Sequence, residues 1–383
     1  MRQFFLTNST RQFVKRVAKL AIFSCLTTLI IFSIGQYTNT LGWVGAADKN
    51  FTGGSTYSTS WAITETSNPA LSESDRYRNS LIAFTPGSWD SGSKMPQELG
   101  EVSSGVINGV LYVVGQGSDA TLGYDIVART WRDDLAVRPF VGNHHAAEVF
   151  NGKLYVFGGL GKGEGKVQIY DPMTNSWSLG ADMPFAAGSS SSAVIGGQIY
   201  VAGGIVGSST TNKLAKYNPA TNTWTLLAPM KQGRNHAASG TDGTKLYVFG
   251  GRGPGSGDAN VLANGFNTVQ IYNPATNAWI SSLDPGSNLA PLPQARGGMG
   301  KAAYLNGKFY VMGGETKNGA GATKNNVYKR VDIYNPKTNN WQLGKPLPTA
   351  RHGIFPVVYD GEIFVAGGGL EAGYSISNVF EIF

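Results

Sequence analysis

Residues 151–177 read NGKLYVFGGLGKGEGKVQIYDPMTNSW, and this stretch decides the fold. Asn151-Gly152 is a pair that accepts positive φ at both positions and so closes a two-residue hairpin. Gly158-Gly159 ends the apolar run that follows, where glycine permits a bulge and a close backbone approach. A tyrosine then stands seven residues before a tryptophan, with Asp-Pro turn chemistry between them. The stretch therefore predicts short antiparallel strands joined by tight turns.

The same three signals recur in step along the chain. The turn pairs are Asn108-Gly109, Asn151-Gly152, Gly196-Gly197, Asp242-Gly243, Asn306-Gly307 and Asp360-Gly361. The glycines at the strand ends begin at Gly115, Gly158, Gly203, Gly250, Gly313 and Gly367. The tyrosine and tryptophan pairs are Tyr124 and Trp131, Tyr170 and Trp177, Tyr217 and Trp224, Tyr272 and Trp279, and Tyr334 and Trp341. Each copy predicts four antiparallel strands, A to D, in about 45 to 60 residues.

The order apolar strand, double glycine, tyrosine, Asp/Asn-Pro-x-Thr-Asn and tryptophan resembles the kelch repeat over about residues 85–383. This resemblance implies a β-propeller. The residues agree with it, because four-stranded sheets arranged radially leave few open edges. The first copy departs from the pattern, since it has Gly115-Gln116-Gly117 and a degenerate turn.

The two ends of the sequence predict how the propeller closes. The residues after Asn378 match strand C, and no sixth strand D with its tryptophan follows. Residues 86–89, which end in Trp89, precede Met95-Pro96 much as Trp177 precedes Met183-Pro184. The predicted fold is therefore all-β, a six-bladed kelch-type β-propeller closed by strands from both termini, after an N-terminal apolar helix.

The composition excludes other fold classes. Glycine supplies 52 of 383 residues, close to twice the usual share of about 7 per cent, which is too many for a helical bundle. A hydrophobic fraction of 41% excludes a disordered chain. No Gly-X-Y period occurs, so the chain is not a collagen.

The N-terminal segment predicts export. Five basic residues precede an apolar run from Leu20 to Ile34, and no acidic residue occurs before Asp48. Fifteen residues rise about 22 Å as a helix, short of a hydrocarbon core of about 30 Å, yet residues 20–43 could serve as an anchor. We predict a signal peptide or signal anchor over residues 1–46, a Ser/Thr-rich linker over 47–80 and the propeller over 81–383. The protein is expected to be secreted, periplasmic or at the cell surface.

Charge and cysteine usage limit the partners and cofactors. Without the five basic residues of the export segment the formal charge falls from +7 to +2, which argues against nucleic acid. A membrane contact is expected only through residues 20–43 if they stay attached. The single cysteine, Cys25, lies in the same segment. Galactose oxidase resembles the chain in its propeller, but its copper site uses a cysteine linked to a tyrosine. We therefore expect no cofactor. The protein is also expected to be a monomer.

Antiparallel alternation predicts which face binds. The A-B and C-D turns lie on one face, and the B-C and D-A connections lie on the other. The connections contain three long loops, at residues 252–267, 282–296 and 315–328, which belong to blades four and five. Long loops on a rigid scaffold are where recognition concentrates. This face is therefore the predicted binding face.

The same face is expected to carry charged candidates for ligand binding. These are Arg138, Arg234, Arg252, Arg296, Arg351 and Glu315. A guanidinium group presents a fixed fork of donors that suits carboxylates, sulfates or sugar hydroxyls. The alternative is that each arginine ties one blade to the next through backbone carbonyls. That structural role is favoured for each arginine singly, and the long loops are the stronger evidence for binding.

The histidines give no metal prediction. His145 and His236 each stand six residues before their turn, which assigns them to matching positions on strand A of blades two and four. Neither a carboxylate nor a histidine occupies the matching positions of the other blades, at Val102, Ser190, Gly300 and Ile354. Histidines with satisfied hydrogen bonds are therefore expected in place of a metal site.

These observations favour a binding module over an enzyme. The leading hypothesis is an exported propeller that binds a protein or glycan through the long-loop face. The alternative is a carbohydrate-active enzyme similar to the sialic acid mutarotases, with Glu315 and either Arg252 or Arg296 as an acid and base pair. Exposed loop residues are the simpler interpretation of these three, so no catalytic residue is assigned. No phosphate-binding loop, nucleophile elbow or zinc-protease motif occurs.

Overall fold

The computed structural model describes residues 87–254 and 265–383, and these residues form strands and turns without any helix. In that part of the chain, no helical segment has the length and apolar character that would let it cross a membrane. The predicted N-terminal apolar helix, the segment 1–46 and the linker 47–80 lie outside the described residues.

The strands are numbered in chain order. The first half contains β1 (Asp90–Ser91), β2 (Gly100–Ile107), β3 (Val110–Gln116), β4 (Leu122–Asp125), β5 (Thr130–Arg132), β6 (Ala146–Phe150), β7 (Lys153–Phe157), β8 (Val167–Asp171), β9 (Ser176–Gly180), β10 (Ser191–Ile195), β11 (Gln198–Ala202), β12 (Ile205–Val206) and β13 (Ser209–Thr210). The second half contains β14 (Leu214–Asn218), β15 (Thr223–Leu227), β16 (Ala238–Thr241), β17 (Leu246–Phe249), β18 (Val269–Asn273), β19 (Ala278–Ser281), β20 (Ala303–Leu305), β21 (Lys308–Met312), β22 (Val331–Asn335), β23 (Asn340–Leu343), β24 (Val357–Tyr359), β25 (Glu362–Ala366) and β26 (Phe380–Ile382).

The described strands form six four-stranded antiparallel sheets and one small hairpin, β12-β13. Blades one to five are β2-β3-β4-β5, β6-β7-β8-β9, β10-β11-β14-β15, β16-β17-β18-β19 and β20-β21-β22-β23. The first strand of each blade contacts the first strand of the next, and β24 contacts β2. These contacts close a ring around a central channel, which confirms the predicted all-β, six-bladed propeller.

Blade six is built from both ends of the described chain. Its strand order is β1-β26-β25-β24, and Asp90 pairs with Ile382. The ring of Trp89 lies 5.0 Å from that of Phe383. The predicted closure by strands from both termini is therefore confirmed.

Five of the six predicted two-residue turns form. Asn151 and Gly152 have φ of 47° and 69°, and the other four pairs also have positive φ at both positions. The pair at Asp242 differs, because β16 ends at Thr241 and β17 begins at Leu246. There the Asp242 Oδ1 accepts the N–H groups of Thr244 and Lys245, at 2.9 Å each, so its side chain organises a longer turn.

The hydrophobic cores lie between adjacent blades. In one core, Tyr155 and Phe157 of blade two pack with Ile199, Val201 and Tyr217 of blade three. Each predicted tyrosine and tryptophan pair is a directly opposed pair across strands C and D. Blades therefore depend on their neighbours for burial.

One predicted long loop contacts the C-D turn of the next blade. In the 282–296 loop, the Asn288 carbonyl accepts the Asn339 Nδ2 at 2.5 Å, and Asn339 lies in the C-D turn of blade five. Residues 284–289 also share a cavity with Lys245 and Pro336, which belong to tight turns. This contact is shared by the other D-A connections, since Ala136, Ala181 and Ala228 also lie against the next blade's C-D turn.

Candidate functional site

The candidate site lies at one mouth of the central channel, where strand A of each blade begins. Near the start of each strand A one residue has positive φ, between 39° and 65°: Glu101, His144, Ser189, His236, Gly298 and Gly353. We call these six residues the mouth ring. Backbone hydrogen bonds link it, including Ser189 N–H to the His144 carbonyl at 2.7 Å and His236 N–H to the Ser189 carbonyl at 3.2 Å. Positive φ is costly for the four side chains that are not glycine, and such strain accumulates at functional sites.

Two mouth-ring histidines face each other. The ring centroids of His144 and His236 lie 4.8 Å apart in an edge-to-face arrangement. Each Nδ1 contacts the amide oxygen of the preceding asparagine, Asn143 or Asn235. The Nδ2 of Asn235 donates to Thr210 Oγ1 at 2.8 Å, which fixes the amide with its oxygen toward His236. The fixed Asn235 oxygen only accepts, so a neutral His236 carries its proton on Nδ1 and a lone pair on Nε2. A neutral His144 has the same tautomer with the Asn143 oxygen facing its Nδ1.

Two carboxylates complete the cluster. Glu101 places Oε2 3.5 Å from the His144 Nε2 and Oε1 3.3 Å from the His352 Nε2. Glu315 accepts a hydrogen bond from the Arg252 guanidinium at 2.7 Å and another from the Gly373 N–H at 2.7 Å. We call Glu101, His144, His236, His352, Glu315 and Arg252 the mouth cluster.

Burial and charge shift the protonation of these groups in different directions. Burial lowers the pKa of His144, although the Glu101 carboxylate opposes this, and burial lowers the pKa of His236 well below its usual value. Burial also acts to lower the pKa of His352, but the interactions with Glu101 and Glu315 outweigh it and raise that pKa. Burial acts to raise the pKa of Glu101, yet the histidines hold it far below its usual value. Glu101 is therefore ionised at neutral pH.

The space between these side chains is small. Glu101, His144, Ser189 and His236 line a cavity of about 20 Å³. That is room for one water molecule or one ion, since a water needs roughly 10–15 Å³. Pockets for organic ligands measure about 300–1,000 Å³. A sugar does not fit within the cluster in this conformation.

The opposite end of the channel is wider but its charges are paired. Lys301 Nζ lies 2.6 Å from the Glu148 Oε1, which also accepts the Ser192 hydroxyl at 2.8 Å. These groups adjoin a cavity of about 280 Å³ with mostly aliphatic walls on the side of the A-B turns. The mouth cluster is the stronger candidate site because it brings three histidines together with two carboxylates, whereas among the described residues no histidine lines the cavity at this end.

Comparison with known proteins identifies the repeat. The KLHDC2/KLHL20/DRC7 Kelch-repeats domain matches residues 106–291 and 145–369. The chain belongs to the kelch-repeat family. The Kelch-like protein terF of Aspergillus terreus is 28% identical over 274 residues, which cover 68% of this chain and 56% of that protein. Alpha-scruin of Limulus polyphemus is 24% identical over 319 residues, 76% of this chain and 27% of that protein.

Two further similarities concern the propeller. The N-acetylneuraminate epimerases of Escherichia coli are 37% identical over 81 residues, 21% of this chain and 22% of the epimerase. The solved structure described as "Structure of YjhT" superposes with a TM-score of 0.62 and 18% identity, covering 76% of this chain and 95% of that one. The kelch chain thus spans about half the length of terF and about a quarter of the length of its other curated relatives named here. The structural match shows the fold alone.

The kelch propeller buries the predicted binding arginines. Arg138, Arg234, Arg252, Arg296 and Arg351 are each at most 3% exposed. Arg234 shows the pattern: its carbonyl accepts the Gly204 N–H at 2.8 Å from blade three, and its guanidinium donates to the Gly250 carbonyl at 2.9 Å in blade four. Arg296 and Arg351 bridge successive double glycines in the same way. Arg138 instead binds the Gly115 carbonyl of blade one.

These contacts give the four connection arginines the structural role. Buried guanidinium groups that donate to glycine carbonyls are not free to hold a ligand. Arg252 and Glu315 were expected as exposed loop residues, but they form a buried ion pair with side chains 3% and 2% exposed. The residue after each double glycine forms a backbone bridge with the residue just before the mouth ring, and this position places Arg252 and Glu315 beside the cluster.

The sequence analysis missed the mouth cluster because it counted from the wrong landmark. Counting from the turns pairs His236 with His145, but the turn at Asp242 is longer than the others. Counting from the double glycines pairs His236 with His144, since each stands fourteen residues before the first glycine of its blade. Glu101 stands fourteen residues before Gly115 and so occupies the same position. The constant spacing of fourteen residues to the first glycine of the blade was the signal that could have found the cluster.

Proposed function

We propose that this chain is an exported kelch propeller that binds a protein or glycan ligand on the face of its B-C and D-A connections. The kelch family supports a protein-binding module in general. The basic and apolar sequence of residues 1–46 supports export. The connection face is the part of the described surface with irregular loops around the mouth cluster.

The observation that carries the proposal is the exposure of apolar side chains on this face. Tyr374, in the B-C connection of blade six, is 76% exposed. Leu370 of the same connection is 36% exposed, and Val141 and Val206 of other connections are 45% and 37% exposed. Tyrosine is enriched among the residues that dominate binding energy, so Tyr374 is the anchor that the proposal relies on.

A groove on the same face adds a concave element. Val206, Ser209, Asn212, Lys213 and Pro254 contribute to a cavity of about 390 Å³ beside the β12-β13 hairpin. Hydroxyl, amide and ammonium groups beside an aliphatic side chain suit an extended peptide or an oligosaccharide. The groove is large enough for such a ligand, whereas the cavity of the mouth cluster is not.

A ligand screen with matched variants tests the face. Protein and glycan arrays are probed with the wild-type chain, with Tyr374→Ala and with a variant in which residues 317–325 are replaced by a two-residue turn. The control is Met173→Ala, because Met173 is 83% exposed in a C-D turn on the other face. We expect both connection-face variants to weaken binding at least about tenfold, as loss of a 1.4 kcal/mol contact does, and the control to bind normally. Binding that survives both changes would refute the assigned face.

Export has a separate test. Expression of the full chain in a Gram-negative host should yield the propeller outside the cytoplasm, either shortened by about the length of residues 1–46 or retained in the membrane fraction. A full-length, soluble cytoplasmic product would contradict the proposal and leave the binding face unaffected.

A second candidate function is sugar anomerisation. The local identity of 37% with the N-acetylneuraminate epimerases favours it, and the mouth cluster contains a carboxylate 3.3 Å from a histidine. It requires the mouth to open, because the present cavity holds no sugar. The rate at which N-acetylneuraminate anomers equilibrate is measured by NMR with wild-type protein and with Glu101→Gln. Faster exchange that depends on Glu101 would support this function, and equal rates with and without protein would exclude it.

A further inference from the structure

We infer that Glu101, His144 and His236 form a binding site for a divalent transition-metal ion such as Zn²⁺ at the mouth of the channel. The three residues belong to blades one, two and four. Their ligand atoms, one carboxylate oxygen and two imidazole nitrogens, all lie within 4.8 Å of one another. This site is separate from the exposed connection face proposed for ligand binding and does not depend on it.

The first argument is the contact between two acceptors. The Nδ1 proton of His144 points to the Asn143 amide oxygen, so the lone pair of Nε2 is directed to the other side of the ring. There the nearest charged atom is the Glu101 Oε2, 3.5 Å away. A lone pair facing a carboxylate is unfavourable unless a cation lies between them. Two atoms that each bind Zn²⁺ at about 2.1 Å with tetrahedral geometry are about 3.4 Å apart, which matches the separation of this pair. The full set of ligand atoms extends to 4.8 Å and contracts when the ion binds.

The second argument is the support around the ligands. Metal-binding histidines usually donate their other ring N–H to a fixed acceptor, which orients the ring and raises its basicity. Asn235 provides this acceptor for His236 at 2.6 Å and is itself held by Thr210. Asn143 provides it for His144. Both ligands therefore have the supporting contact that a metal site needs, from the residue just before them.

The third argument is space and strain. The cavity of about 20 Å³ between these side chains is of the size of one ion. Glu101, His144 and His236 adopt φ of 39°, 59° and 52°, which directs all three side chains into it. The surrounding ring of backbone hydrogen bonds compensates for this strain.

The ligand set selects the class of metal. Two imidazoles and one carboxylate suit Zn²⁺, Fe²⁺, Ni²⁺ or Cu²⁺, while Ca²⁺ and Mg²⁺ prefer an all-oxygen site. Ser189 lies beside the cluster, with its hydroxyl 3.2 Å from the His236 Nε2, and gives way when that nitrogen binds metal. Three protein ligands leave one position of a tetrahedral ion open toward the channel.

Metal titration of the full chain tests the inference. Chelator-treated protein is titrated with Zn²⁺ by calorimetry and with Co²⁺ by visible absorption, which reports the ligand geometry. We expect one equivalent to bind and the melting temperature to rise with Zn²⁺. His144→Asn, His236→Asn and Glu101→Gln should lose the stoichiometric binding. Asn235→Ala, which removes the supporting acceptor and leaves all three ligands in place, should weaken it about 10–100-fold.

His145→Asn is the matched control, since His145 is a buried histidine next in sequence to His144 but outside the ligand set. It should bind the metal as the wild type does. If a ligand variant does not fold, its melting curve without metal reveals this, and Asn235→Ala then carries the test. Failure of the folded wild type to bind one equivalent of Zn²⁺ or Co²⁺ would overturn the inference. Tight binding that persists in both His144→Asn and His236→Asn would overturn it as well.

Discussion

Trp177 donates its indole Nε1–H to the carbonyl oxygen of Ala136, 2.9 Å away in the connection that leaves the preceding blade. The N–H of the same alanine donates to the Asn175 Oδ1 at 2.8 Å. One peptide segment is thus held on both sides by the C-D hairpin of the next blade. The arrangement repeats at Ala181 with Asn222 and Trp224, at Ala228 with Asn277 and Trp279, and at Ala290 with Asn339 and Trp341. We call it the blade clasp.

The clasp predicts a stability cost for a glycine substitution. Asn222 has φ of 53° and accepts both the Tyr217 hydroxyl and the Ala181 N–H at 2.6 Å. Asn222→Gly keeps the backbone conformation and removes both bonds. The buried Tyr217 hydroxyl then lacks its acceptor, so we expect a loss of about 1–3 kcal/mol in the free energy of unfolding. Urea denaturation measures it.

Two further variants locate the effect. Tyr217→Phe removes the donor together with its need for a partner, and should cost less than Asn222→Gly, about 0.5–1.5 kcal/mol. Met173→Ala changes an exposed side chain in an equivalent turn and should stay within about 0.5 kcal/mol of the wild type. If Asn222→Gly is as stable as Met173→Ala, the clasp does not contribute to stability.

The double glycine predicts a contrast between two alanine substitutions. Gly158 has φ of 58°, and an added Cβ would overlap the Ala187 carbonyl of the D-A connection. Gly152 has a similar φ of 69°, but a Cβ there meets nothing within 4 Å. Gly152→Ala should cost only the conformational penalty, about 1–2 kcal/mol, while Gly158→Ala adds a clash. Thermal melting of both variants is the measurement, and equal melting temperatures would contradict the steric account.

The closure of blade six predicts that the N-terminal strand is essential to cooperative folding. The Gly92, Met95 and Leu99 N–H groups donate to carbonyls of residues 377–380 at 2.9–3.0 Å. Deleting residues 81–100 removes these bonds and exposes the edge of β26. We expect the single unfolding transition to be replaced by a broad one at lower temperature. Calorimetry compares the two chains, and a truncated protein that melts like the whole one would show that closure is dispensable.

The repeated fold followed from the sequence because its determinants are local. A two-residue turn such as Asn151-Gly152, and the opposition of Tyr170 and Trp177 across a hairpin, depend on residues fewer than ten positions apart. Closure by Trp89 followed from comparing units with one another. These features need no knowledge of which blades come together.

The candidate site did not follow, because it depends on contacts between distant blades. Glu101 and His352 are 3.3 Å apart, yet 251 positions separate them in the sequence. The burial of Arg234 depends on which carbonyls surround it, and the guanidinium group alone does not reveal them. Because the Asp242 turn is longer than the others, His236 was matched with His145 and not with His144. Neighbouring residues of a strand point to opposite sides, so this error of one position hid the pair of histidines that faces the channel.

The same Asp242 turn predicts a dependence of stability on pH. Burial acts to raise the pKa of Asp242, but hydrogen bonds from Thr244 and Tyr247 outweigh it and lower the pKa from 3.8. A carboxyl group whose pKa is lower in the folded state stabilises the fold fully above its unfolded pKa of about 3.9. That stabilisation is lost as the pH falls through the folded value. Asp242→Asn cannot titrate, so its deficit in melting temperature against the wild type should be largest above about pH 4 and shrink at lower pH. Melting curves between about pH 2 and pH 6 measure the difference.

In Tyr247→Phe one of the hydrogen bonds to Asp242 is gone, so introducing Asp242→Asn into that background should produce a smaller deficit in melting temperature. A deficit that is constant with pH would mean that the turn depends on the shape of the Asp242 side chain and not on its charge.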